Sequence, residues 1–580
     1  GTNGFYLNFS DNSGTTATTL GTDSSGNGNN FTPNNFSVAA GAGNDSVEDT
    51  PTNNFPTLNP LAGYSTNFVS ASNGNLDFSL ASNYLAISTF TIPASGKWYA
   101  ECVFTDVQSG DVSVINPNML NDDSNSFDGR WNGIALKQGG EIRVDNSTVQ
   151  SSLTAIANDA IVGVKIDRDA GTVAFTINGS ANGTAVNISS LTDSSVLAVA
   201  NRRNSSGGSN PIGSQNYGQR PFSHLPTGYK ALNSANLPNP TILLPNKHFD
   251  TTLYTGNGST GQSITSLQFQ PDWLWFKSRS HARNHAVNDS VRGRAKGLYT
   301  DVTDAEFTDD SNKGLVSFDA NGFTVGEPQN ASSHNNNGES IVNWAWKGGG
   351  SASSNSDGDI TSQVSANTSA GFSIVSYTVP SGSGYSVGHG LGAVPQVIFV
   401  KNRDTSSNWD VYSVHIGNTK RLKLNSTAAE ETQPAFNNQT PTSTVFYGLG
   451  GGSWHGVGSK MINYVFSEVA GYSKFGSYTG NGNDNGTFVF LGFRPAFIIT
   501  KRSDGTSPWR LFDNKRPNAN FQTYKLEADS SGAEATGSVY ADFLSNGFKI
   551  RDNGSYQNAS GGTYIYLAFA ESPFKNSRAR

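Results

Sequence analysis

Four side chains stand where recognition chemistry could be done: His281, Arg283, Trp454 and His455. Trp454 and His455 lie inside Gly451-Gly452-Ser453-Trp454-His455-Gly456. An aromatic ring offered by a glycine-flanked loop either stacks on a sugar face or packs against its own domain. His281 and His285 are four residues apart with Asp289 beyond them, a spacing that suits a metal ion only on one helix face. Arg279, Arg283 and Asn284 between them make a polar loop the simpler reading, and no metal is expected.

Other motifs dissolve on inspection. Gly256-Asn257-Gly258-Ser259-Thr260-Gly261 has dinucleotide-binding spacing, but that chemistry needs a helix directly after the glycines. The residues that follow, Ile264 to Phe269, read as strand, so a hairpin is expected. Asp122-Asp123-Ser124-Asn125-Ser126-Phe127-Asp128-Gly129 and Asn481-Gly482-Asn483-Asp484-Asn485 offer oxygens for calcium, yet lack the EF-hand spacing and its closing glutamate. Turn chemistry alone explains them. Asp167 and Asp169, the best acids for glycoside hydrolysis, fall at a strand end and turn, where solvation is the default role. No catalytic residue is assigned, no cofactor is expected, and the chain reads as a non-enzyme.

The elements that position these residues repeat three times, at 250–277, 374–401 and 475–501. Tyr254-Thr255-Gly256-Asn257-Gly258 answers to Tyr377-Thr378 and to Tyr478-Thr479-Gly480-Asn481-Gly482. Each tyrosine leads to a proline (Pro271, Pro395, Pro495), then an apolar run, then a lysine six residues on: Lys277, Lys401, Lys501. A second anchor closes each copy, at Val342-Asn343-Trp344-Ala345-Trp346, Ile462-Asn463-Tyr464-Val465-Phe466 and Ile565-Tyr566-Leu567-Ala568-Phe569. Trp409 and Trp509 occupy matched places and read as core, with His285 at the equivalent first-copy position. The lysines, with Arg279, Arg403 and Arg502 nearby, form either a binding stripe or strand ends leaving for solvent, and the second reading is simpler. Tandem copies set the architecture before any single motif is weighed.

Composition agrees with several small β-domains. At about 150 residues per domain, 580 residues suggest roughly four. Only 35% of residues are hydrophobic and 14% charged, yet 11% are aromatic, so the chain folds, with Gly-, Ser-, Thr- and Asn-rich turns between strands. A net charge of −7 argues against nucleic acid as a partner. No run approaches the roughly 20 apolar residues that membrane insertion needs. Cys102, the single cysteine, excludes an intrachain disulfide and reads as a small core residue. Gly1, which is not an initiator methionine, marks a processed chain or a piece of something longer.

The expected organisation is a jelly-roll-like sandwich at 1–232, a proline-stiffened linker at 233–249, sandwich repeats at 250–350, 371–470 and 471–580, and a flexible linker at 351–370. The repeats are expected as separate compact beads. Phe5-Tyr6-Leu7-Asn8-Phe9 reads as a first strand, and only Ser290 to Tyr299 suggests helix. Gly96-Lys97-Trp98-Tyr99-Ala100-Glu101, Trp131-Asn132-Gly133-Ile134-Ala135, Ile161-Val162-Gly163-Val164-Lys165-Ile166-Asp167 and Gly171-Thr172-Val173-Ala174-Phe175-Thr176-Ile177-Asn178-Gly179 resemble successive strands of a SPRY domain, a concanavalin-like fold. Asn216-Tyr217-Gly218-Gln219-Arg220-Pro221-Phe222 is similar to its closing strand.

Together with the connector Leu232-Asn233-Ser234-Ala235-Asn236-Leu237-Pro238 and the Phe269-Gln270-Pro271-Asp272-Trp273 motif, the chain resembles tail fibres and related virion proteins of tailed bacteriophages, particularly marine ones. The resemblance implies an all-β virion structural protein, a tail fibre or appendage adhesin that serves host attachment. Its partners would be other virion proteins and a host surface glycan or receptor. It further implies a homo-oligomer, most often a homotrimer, and an extracellular place on the phage tail or capsid surface. An architectural capsid, tail or neck component is the alternative. A glycan-degrading tailspike is disfavoured, because no β-helix period appears. The second copy lacks the Asn-Gly turn and the first lacks the tryptophan, so no shared ligand site is assumed.

Overall fold

Alternation of apolar and polar residues dictates two-faced strands, and strands are nearly the only regular structure in the computed structural model, with one four-residue α-helix at Ser555–Asn558 among the described residues. The structure describes residues 1–39, 44–48, 53–62, 70–81, 85–119, 132–145, 147–191, 194–203, 209–329, 333–451, 455–517 and 519–576. They form two compact units, Gly1–Pro238 and Asn239–Arg580.

The N-terminal unit is a β-sandwich of a nine-stranded and a six-stranded sheet, antiparallel except where Lys230–Ala231 pairs parallel with Lys97–Asp106. Lys97–Asp106 lies at the centre of the larger sheet, paired with Ile161–Asp167 and Ile212–Asn216. Cys102, Phe104, Val162 and Val164 are fully buried, as alternation requires. The hairpin from Thr172–Ile177 into Ser180–Ala181 turns through Asn178 and Gly179, both at positive φ, as expected of Asn-Gly. Two expectations need correction. Phe5 to Phe9 forms no strand: the Asp23 carboxylate accepts the N–H groups of Tyr6, Ser25 and Asn29, curling the segment into turns that leave Phe5, Tyr6 and Phe9 exposed. The closing strand ends at Asn216 instead of beginning there. Beyond it, buried Gln219 and Arg220 bind the backbone of Tyr217 and Asn44 and hold a turn.

In the second unit each repeat builds a large antiparallel sheet in the same order. Phe249–Thr255, Ser340–Trp346, Trp273–Ser278, Ala286–Asp289 and Lys296–Tyr299 correspond to Phe372–Thr378, Lys460–Phe466, Val397–Asn402, Asp410–Ser413 and Lys420–Lys423. In the third repeat the counterparts are Ser473–Thr479, Thr563–Pro573, Phe493–Arg502, Arg510–Asp513 and Phe521–Glu527. Leu274, Phe276, Ile398, Val400 and Ile498 face outward into three satellite clusters. The alternate side chains, among them Trp273, Trp275, Phe399, Tyr464, Phe497 and Phe569, meet in one core common to all three repeats.

The expected row of separate beads is therefore a three-sided body with a single interior. A strand apolar on both faces must be covered on both. Each satellite cluster covers one face, and the sister sheets cover the other. The stretch expected as a flexible linker, 351–370, carries strands Ser353–Asn355 and Ser362–Asn367, which extend the second sheet. The other linker is partly core, because Ile242 and Phe249 are buried in the shared interior. The segment expected as helix holds a turn closed by Arg292 on Asp289 and then strand Lys296–Tyr299.

Candidate functional site

The repeated lysines mark where the chain's polar chemistry concentrates. All three are fully buried. Lys401 Nζ donates to the carbonyl of Thr303 in the first repeat at 2.8 Å, Lys501 Nζ to Thr427 in the second at 3.0 Å, and Lys277 Nζ to Ser531 in the third at 3.0 Å. Second onto first, third onto second and first onto third, the contacts close a ring. Beside each lysine a backbone bond of 2.8 Å runs across the same seam: Glu306 to Arg403, Glu430 to Ser503 and Glu534 to Arg279. Burial without a paired carboxylate pulls each lysine down to about 8. They are seam fasteners, not strand ends leaving for solvent.

Trp409 and Trp509 fasten the same seams, donating through Nε1 at 2.8 Å to the carbonyls of Tyr299 and Lys423. His285 takes this place in the first repeat and accepts instead from that repeat's own Trp275 Nε1, at 2.9 Å. A buried pair, Arg292 on Asp289, receives the Tyr464 hydroxyl, and its counterpart, Arg516 on Asp513, receives Trp344 Nε1 at 3.0 Å. At the remaining seam all three positions change together, to Ser413, Ile416 and Leu567, and the latter two join the core. This lock was missed from sequence, although Asp-x-x-Arg at 289–292 and 513–516 stands at one offset from Pro271 and Pro495.

The four residues singled out from sequence separate. His281 and Arg283 converge on Glu339, His281 Nδ1 at 3.9 Å and Arg283 Nη2 at 2.7 Å, with His281 well exposed. Burial raises Glu339, but Arg283 and Ser278 outweigh it and hold the carboxyl below its ordinary value. His455 is buried rather than displayed, 3.7 Å from Asp410, which also binds Arg421 at 2.8 Å. Burial, helped by Arg421, pulls His455 down to about 4, and burial lifts Asp410 to about 6 despite Arg421. Trp454 lies outside the described residues, as does the loop from Asp122 to Gly129.

The Tyr-Thr-Gly-Asn-Gly motif is structural. Tyr254 and Tyr478 donate to the carbonyls of His334 and Gln557, and the next residues, Asn335 and Asn558, accept the N–H of Asn257 and Asn481. In the 481–485 loop the side-chain oxygens of Asn481 and Asn483 are occupied likewise, by the N–H groups of Asn483 and Asn485. Asp167 pairs with Lys97 and Asp169 accepts the Gly96 N–H. A cavity of about 470 Å³ is lined by Leu243, Leu244, Phe249, Asp250, Lys515 and Glu571. Its carboxylates are already engaged, Asp250 by Lys515 at 3.5 Å and Glu571 by Arg494 at 2.6 Å.

Comparison with solved structures finds similarity to the SPRY domain of human HERC1 (14% identity, 27% of this chain and 96% of that one, TM-score 0.23). It also finds the TRIM65 PSpry domain (11% identity, 27% and 90%, TM-score 0.22) and stonustoxin (14% identity, 28% of each chain, TM-score 0.21). No curated protein matches the sequence. The family described as Domain of unknown function (DUF7483) matches residues 244–573, more than half of the chain and nearly all of its three-repeat unit, and the chain belongs to that family.

Proposed function

We propose that the protein is a non-enzymatic component of a tailed-phage particle, an appendage adhesin that meets a glycan or protein receptor on the host surface. One observation carries this reading: three copies of a loop-bearing module are clasped into a ring within one chain. Exposed turns recur at the same strand junction, around Ser259, Gly382 and Asp484. Repetition of weak contacts multiplies avidity without any strong single site. Further copies of the chain in a homotrimer would multiply it again.

The test is adsorption. Labelled protein incubated with host cells should bind saturably and slow phage adsorption in competition. If it binds no host cell and antibody locates it only within the shell of the particle, adhesion fails and the architectural role remains.

A further inference from the structure

We propose that the first 36 residues form a docking lobe that seats a second copy of the chain, with Phe5, Tyr6 and Phe31 at the centre of the contact. The proposal rests on the homo-oligomer named above and gives it a surface. Among the described residues, the hydrogen bonds of 1–36 all close within that segment. The Asp23 carboxylate accepts the N–H of Tyr6 at 2.8 Å and of Asn29 at 2.9 Å, and Asn29 Nδ2 donates to the Gly4 carbonyl at 2.8 Å. These bonds bring 4–6 against 29–31, and the rings of Phe5 and Phe31 meet with centres 4.7 Å apart. Of the lobe's larger apolar side chains only Leu20 is buried.

What the lobe turns outward is unlike the rest of the surface. All five of its aromatic residues, Phe5, Tyr6, Phe9, Phe31 and Phe36, are 45% to 60% exposed, and they are five of the seven exposed aromatic side chains among the described residues. At about 200 Å² per aromatic side chain, half exposed, they offer roughly 500 Å² of ring surface, and two copies together about 1,000 Å², the floor of a specific interface. Charge selects the occupant. Residues 1–238 hold eighteen acidic and ten basic residues, so two copies repel over most of this unit. The lobe carries only Asp11 and Asp23, and Asp23 is enclosed, so copies meet here with least repulsion. No lysine, arginine or histidine stands before Lys97, which leaves the lobe no cation for an acidic protein or a polyanion. An almost uncharged aromatic face matches itself, as a contact between identical copies requires.

Sedimentation velocity of the full chain across a dilution series tests the surface. At micromolar concentration the expected mass is an integral multiple of the chain's, and salt should hold or strengthen the association, because it screens the acidic repulsion and leaves the ring contacts intact. Tyr6→Asp with Phe9→Asp, which keeps the Phe5–Phe31 contact, should raise the dissociation constant about tenfold or more. Phe5→Ser with Phe31→Ser should dissociate the copies as well, whereas Phe521→Ser, at a similarly exposed ring of the second unit, should leave the mass unchanged. Unchanged association in the aspartate pair, or association that salt dissolves, overturns this surface and leaves the homo-oligomer standing. A wild type that is monomeric at every concentration overturns both; if it then pellets with phosphatidylcholine vesicles, the rings belong to a lipid surface. Host cells decide adhesion separately. A chain that associates through the lobe yet binds no host cell sinks adhesion and leaves the lobe.

Discussion

The phenol of Tyr464 in the second repeat donates to Oδ2 of Asp289 in the first at 2.8 Å, inside a pair that Arg292 already closes. We predict that Tyr464→Phe costs about 1–3 kcal/mol, because it strips a donor from a fully buried carboxylate. Denaturant unfolding measures it. A variant within about 0.5 kcal/mol of wild type would show that the lock adds nothing beyond packing.

Glu534 of the third repeat holds Arg279 of the first across their seam at 2.7 Å and Arg516 of its own repeat at 3.0 Å. Glu534→Ala leaves Arg516 with Asp513 alone and Arg279 with no carboxylate, for an expected cost of about 3 kcal/mol. Proteolysis should then reach the 279–283 segment sooner than in wild type, and an unaltered digestion rate would count against the clasp.

The buried lysines predict an alkaline signature. Their folded values near 8 lie below the ordinary 10.5, so the unfolded chain holds more protons between these limits and stability rises with pH there. The gain is roughly 1 kcal/mol per lysine per pH unit, until the buried tyrosines, whose values are raised, oppose it above pH 10. Unfolding midpoints from pH 8 to about 9.5 should climb in wild type and climb less in Lys401→Met. A flat or falling profile contradicts the buried-ammonium account.

Gly256 and Gly480 begin the repeated turn. A Cβ at either would stand 2.3 Å from a backbone oxygen, of Asn336 or Ala559. Alanine at either position should cost more than about 2 kcal/mol. Gly261, at φ +84 with open space around it, should cost only about 1. Matching losses at all three positions would mean that the close approach is not what selects glycine.

Much of the fold could be read from the sequence because it is local. Asn178-Gly179 specified its hairpin, Cys102 its place inside a strand, and the proline-to-lysine spacing three homologous modules. What stayed hidden was pairing at a distance. Alternation along Trp273-Leu274-Trp275-Phe276 says that both faces are apolar, but not that one of them belongs to two other repeats. The lysines misled for the same reason: beside the nearby carbonyls of Ser278, Ser407 and Ser507, the cross-seam carbonyls that accept from Lys277, Lys401 and Lys501 lie 254, 98 and 74 residues away. His455 looked displayed because glycines flank it, yet Asp410 and Arg421, which enclose it, are distant in sequence.

The carbonyl-capped ammonium groups have a mechanical consequence. Every module grips its neighbour, and the last grips the first, so the covalent joins after Trp346 and Phe466 duplicate connections that non-covalent seams already make. Such a hoop has no loose end from which to unravel. It should yield all at once or not at all, and a nick in either join would leave its parts held together.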